Sequence, residues 1–463
     1  SFAPNIDYSF GNAYTSINFS NTGTLPTQID VLISRGSVPA GKTDAIQRYY
    51  DISATGGSGY SSTLRLHYTT LELNGNSESL LDLWQYTTSW TNMGRTGSVN
   101  TANRYAELSG VTSFPIRWTL GSPFVLGNFV LSFASSQTNG IAFTGINTIT
   151  AKDQYGNVLT TFDASANNVT ISSTPSDGTI SGLGTGVNNV LNQASDFVNG
   201  VCDLTNKIIF IGTIGNHTFT ATSQTAIAAV SGTVNITVGA ASKLSFTTQP
   251  GNGTGGSNLS TQPAVTVQDI GGNIITGATN AITISIANNP GSGVLSASVN
   301  PLNATSGNAT FAGVKIDKIG TGYTLSATAA GLTSATSGAF NITEGSAVQL
   351  SFSTQPGNGT GGSALSTQPI ISILDAGGNT VTSATNAITL SIGINAGSGT
   401  LTVTANPLNA MTGVATFSGV SIDKIGTGYT LSATSAGLSS ASSNAFNVTV
   451  GAASKLVFST QPG

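Results

Sequence analysis

Apolar and polar residues alternate with a period of two along most of this chain. In "ITISI", Ile282, Ile284 and Ile286 fall on one side while Thr283 and Ser285 fall on the other, the pattern of a strand with one buried face. Similar short runs occur at Leu244/Phe246, Val265/Val267, Ala309/Phe311, Tyr323/Leu325/Ala327 and Phe340/Ile342, separated by clusters of Gly, Asn and Pro. No stretch keeps a helical period. Strands this short and this closely punctuated predict an all-β chain built from two-layer sandwiches.

The pattern also repeats. Leu244, Leu350 and Leu456 stand 106 residues apart. "TQPGNGTGGS" at 248–257 returns at 354–363, "ATNAIT" at 278–283 returns at 384–389, and "DKIGTGYTLSAT" at 317–328 returns at 423–434. Each period holds about seven strands, the number in an Ig-like sandwich. A more divergent copy precedes these. "TITAKDQYGN" at 148–157 matches "AVTVQDIGGN" at 264–273, and "GNHTFTAT" at 215–222 matches "TGYTLSAT" at 321–328, with extra residues around "SDFVNGVCDLTNK".

The first 123 residues alternate as well, at Leu64/Leu66/Tyr68 and Leu81/Leu83, but their texture differs. They carry all three tryptophans, all six arginines and fifteen of the thirty-two charged residues. "LNGN" at 73–76 reads as a hairpin turn. The expected organisation is a tandem array of Ig-like β-sandwich domains. Residues 1–123 form an N-terminal sandwich, 124–239 a divergent repeat, and 240–345 and 346–451 two close repeats. Residues 452–463 form the first strand of a further repeat or a strand that joins subunits. The linkers "VGAAS" and "EGSAV" span at most about 17 Å, so an elongated rod is expected.

Composition narrows the function classes. Charged residues make up 7% of the chain and the formal charge is −4, against about 25% charged in ordinary domains. No basic patch is available for nucleic acid. One cysteine, Cys202, and two separated histidines, His67 and His217, are too few for a zinc site of the usual kind. No run of about 18 apolar residues suggests a membrane span. The expectation is therefore no cofactor, no metal, no catalytic residues and no membrane span.

"KLVFSTQP", "STQPIISILDAGGN" and "IDKIGTGYTLSATSAGL" give residues 225–463 a resemblance to the bacterial Ig-like tandem modules of large secreted adhesins and surface fibres, the class that includes invasin and intimin stalks. Residues 124–224 share it less closely. The first module, with "RYYDIS", "LRLHYTTLELNGN" and "RWTLG", is similar to modules of surface proteins exported by type IX secretion. The resemblance implies an extracellular or cell-surface location and a structural role, and it supplies no catalytic residues.

Candidate sites are few. The Asp-x-x-Gly-Asn elements at Asp153, Asp269 and Asp375 offer one carboxylate per copy where calcium takes six to eight oxygens, so a turn is expected. Tyr323 and Tyr429 resemble the tyrosine corner of Ig sandwiches, and His217 takes the same slot. "GNGTGG" lacks the lysine and helix of a phosphate loop and reads as a flexible loop between the first two strands. Residues 349–454 contain one lysine, Lys424, two aspartates and neither glutamate nor histidine. That inventory suits neither a cross-link nor a hydrolase, and Lys424 with Asp423 reads as a solvated pair.

Only the first module holds raw material for catalysis, for example Glu72, Glu78, Asp82, His67 and Arg48, and its carboxylates fall on strand positions and turns that read as exposed. Trp84 and Trp90 are the candidate ligand-binding aromatics, for a glycan or another surface. Lys455, Leu456 and Phe458 are the candidate inter-subunit strand. The expected function is a structural component of an extracellular bacterial surface fibre or adhesin stalk, with self-association through sandwich ends or strand addition. The alternatives are a glycan-binding first module on a stalk and an accessory region of a larger hydrolase.

Overall fold

The structure is a computed structural model that describes residues 1–114, 116–184, 189–453 and 457. The fold is all-β. Apart from strands, the regular elements among the described residues are single 3-10 turns at Thr70–Glu72, Glu78–Leu80 and Ala194–Asp196.

Four separate apolar cores follow one another along the chain, drawn in turn from positions between Ile17 and Leu120, Phe129 and Ile236, Leu244 and Ile342, and Leu350 and Val448. We refer to the units around them as the first to fourth modules. The alternation is the cause of each core. Ile282 and Ile284 are buried and Thr283 is exposed, because a strand turns successive side chains to opposite faces.

The third module shows the plan. Lys243–Thr248, Ala264–Gln268 and Asn308–Thr310 make one sheet. The facing sheet runs Gly253–Thr254, Phe340–Thr343, Gly320–Thr328, Ala281–Asn288 and Leu302–Asn303. Gly253–Thr254 pairs parallel with the last strand, Gly253 opposite Ile342. The middle of "GNGTGG" is therefore a two-residue strand, where the sequence reading expects only a loop. A Cβ on Gly253 would lie 3.0 Å from Leu259 Cδ2 and 3.3 Å from Ile342 Cδ1, so those side chains would have to shift to admit it.

In the first module, Asp7–Phe10, Asn12–Phe19, Ser62–His67 and Tyr105–Val111 form one sheet. The other runs Gln28–Arg35, Arg48–Thr55, Arg117–Gly121, Asp82–Tyr86 and Trp90–Gly94. "LNGN" is a turn, with Asn74 at φ 49° and Gly75 at φ 79°, but it closes no hairpin. The strands on either side of it, Ser62–His67 and Asp82–Tyr86, belong to different sheets.

Candidate functional site

The three Asp-x-x-Gly-Asn turns fold locally as their residue types dictate. Gly272 and Gly378 supply positive φ, at 93° and 75°. Asp269 and Asp375 each accept the backbone N–H four residues on, from Asn273 and Asn379, at 2.9 Å. This is a carboxylate closing its own turn.

The second carboxylate oxygen faces out of the module and into the preceding one. Asp269 Oδ2 accepts the Gly239 N–H at 3.0 Å and the Asn139 amide at 2.8 Å, and Asp375 Oδ2 accepts the Gly345 N–H at 3.0 Å. The asparagines cross the same joints. Asn273 donates to Gly212 O at 2.8 Å and Asn379 donates to Asp317 O at 2.7 Å. Their Oδ1 atoms accept the N–H groups of Ile214 and Ile319. Lys318 Nζ adds a bond to Gly377 O at 2.9 Å, and the linker residue Glu344 accepts from the Thr382 N–H and hydroxyl.

Both aspartates are completely buried. Burial pushes the Asp269 carboxyl upward, but the N–H donors from Gly239, Asn139 and Asn273 outweigh it and hold the group below its ordinary value. Close approach depends on glycine. A Cβ on Gly255 would collide with the Asn379 amide and the Asp375 carboxylate, and one on Gly256 would meet Ala376 and Gly377.

The first joint is built differently. Lys42 Nζ sits 3.4 Å from the Trp84 ring centroid and 4.9 Å from that of Phe124, the two rings meeting edge to face at 5.0 Å. Trp84 is 3% exposed and its indole donates to Gly121 O. It is a buried residue at a module boundary, which removes it as a ligand-binding aromatic. Trp90 is half-buried, tilted against Tyr86 and bonded to Ala40 O.

The remaining sequence candidates are tied into the fold. Glu72 and Asp82 are buried rather than exposed. Glu72 takes two bonds from Arg48, and Asp82 pairs with Arg95. His67 Nδ1 lies 3.0 Å from Arg48 Nη1; burial first, then the Arg48 charge, pushes its pKa down. Glu78 is half-buried and belongs to no ion pair among the described residues. Tyr323 and Tyr429 donate to the backbone carbonyls of Lys318 and Lys424, at 2.9 and 3.1 Å. His217 is buried in the equivalent slot, 3.0 Å from Asp177.

Asp423 accepts the Thr400 N–H, and no Asp423–Lys424 ion pair occurs among the described residues. Lys455, Leu456 and Phe458 lie outside the described residues. No three His, Cys, Asp or Glu side chains converge as a metal site among the described residues, and no helix there is long and apolar enough to cross a membrane.

No family model matches the chain, and no curated protein matches it in sequence. Among solved structures it is similar to InvD of Yersinia pseudotuberculosis, at 17% identity over 70% of this chain and 98% of that one, with a TM-score of 0.23. It is also similar to domains 1–6 of the surface layer protein SbsC, at 13% identity over 89% of this chain and 60% of that one, TM-score 0.19. A third is the β-glucuronidase of Parabacteroides merdae, at 13% identity over 45% of this chain and TM-score 0.16. The chain spans 23% of that glucuronidase and 24% of a second one, from Bacteroides uniformis. At these scores the likenesses carry no argument, and the all-β assignment rests on the chain's own sheets.

Proposed function

We propose that the chain is a structural segment of an extracellular surface protein, a stalk of stacked sandwiches that projects from a cell or builds a fibre, and that it performs no catalysis. One observation carries the reading. The same buried Asp, with its Asn four residues on, closes two successive joints, between the second and third modules and between the third and fourth. Freely jointed domains have no use for a buried carboxylate at each junction, whereas a stalk of fixed direction does. The small stock of charge in the repeats supports the same reading.

Electron microscopy of the purified chain tests it. Extended particles with a narrow spread of angles at the last two joints are expected, and the Asp269→Ala, Asp375→Ala double variant should broaden that spread. A wild-type chain as loosely jointed as the variant would refute the reading.

A further inference from the structure

The joint between the third and fourth modules has two halves, a turn and the face that receives it. The receiving half consists of Asp317 O, which accepts the Asn379 amide, the Ile319 N–H, which meets Asn379 Oδ1, the Gly345 N–H, which meets the Asp375 carboxylate, and Lys318 Nζ. Gly255 and Gly256 leave room for the turn.

The fourth module carries this receiving half in full, as Asp423, Lys424, Ile425, Gly451, Gly361 and Gly362. It is also shaped alike before anything docks. Gly361 N–H bonds to Thr449 O as Gly255 N–H bonds to Thr343 O, both at 3.0 Å. Gly362 N–H bonds to Ile422 O as Gly256 N–H bonds to Ile316 O. Tyr429 fixes the Lys424 carbonyl as Tyr323 fixes that of Lys318.

What differs is coverage. Asp317 and Lys318 are half-buried while Asp423 and Lys424 are exposed. A Cβ on Gly256 would meet the next module, whereas one on Gly362 would meet nothing. Among the described residues the Asp423 carbonyl, the Ile425 and Gly451 N–H groups and the Lys424 amine have no hydrogen-bond partner.

We infer that this end of the fourth module is a preformed docking surface for the Asp-x-x-Gly-Asn turn of a further module of the same repeat type. The occupant is specified by chemistry: a carboxylate to take the Gly451 N–H, an asparagine amide to exchange bonds with Asp423 and Ile425, and a glycine carbonyl for Lys424. The first module cannot supply it, because the turn occurs at 153–157, 269–273 and 375–379 and nowhere in residues 1–123. The inference goes beyond the stalk reading and is measured separately, by amide protection and not by particle shape.

Replacing residues 452–463 by a second copy of residues 346–451 supplies the turn. Amide exchange of Gly451 and Ile425 should then slow by roughly tenfold or more relative to the parent chain. The slowing should vanish when the appended copy carries Asp375→Ala, or when the receiving face carries Gly361→Ala. Parent-like exchange at Gly451 and Ile425, while the core amides of the appended copy are protected, would overturn the inference.

Discussion

A fully buried carboxylate is tolerable only when donors meet both of its oxygens, and Asp269 satisfies this by taking donors from two modules at once. Asp269→Ala strands the Gly239 N–H and the Asn139 amide, and should cost about 3 kcal/mol of the coupling between the second and third modules. Denaturant unfolding followed at Trp-free reporters in each module would measure it. The pH dependence has a definite sign. The Asp269 pKa is lowered from 3.8 on folding, so its contribution is present above that value and fades as pH falls below it through the folded pKa. Acidification should therefore loosen this joint, seen as a lower protection factor of the Gly239 amide relative to its intrinsic exchange rate at the same pH. In the first module, Arg48 and Glu72 form a buried pair at 2.8 Å. Glu72→Ala leaves the guanidinium unpaired and should destabilise that module by about 3–5 kcal/mol, lowering its melting transition and leaving those of the repeats in place.

At the scale of single elements, the hydroxyls of Tyr323 and Tyr429 tie strand to loop across five residues. Tyr323→Phe keeps the ring and removes that bond, so a loss of about 1 kcal/mol in the third module is expected, measured by urea unfolding. The tyrosine slot was legible because ring and flanking glycines recur at a fixed place in an alternating run. The strands were legible for the same reason: Ile282, Ile284, Leu325 and Ala327 announce their burial by period. Gly253–Thr254 was not, since a glycine-rich strand has no alternation to read. "LNGN" announced its backbone conformation correctly, but local φ preferences do not say which sheets the flanking strands join. Trp84 lies one residue after inward-facing Leu83, so a period of two turns it outward; it is buried because Lys42 and Phe124 cover it. The joints were half legible. The Asp-x-x-Gly-Asn turn follows from its own residues, but its outward oxygen finds its donors in another module, and nothing within one copy names them.

For the whole molecule, the pairing of Gly253–Thr254 with Phe340–Thr343, repeated as Gly359–Thr360 with Phe446–Thr449, bears on how the chain answers a pull. These strands stand near opposite ends of each module's sequence and run in the same direction. Tension applied through the linkers drags one along the other, so their hydrogen bonds are loaded together in shear instead of parting one at a time. Proline at Gly361, which removes the N–H donated to Thr449 O, should lower the force at which the fourth module yields in single-molecule stretching more than it lowers the melting temperature. Equal sensitivity of the two measurements would show that this strand pair is not where load is held. A stalk assembled from such modules would resist extension through strand direction rather than through the size of its cores, and could remain thermally ordinary while being hard to pull apart.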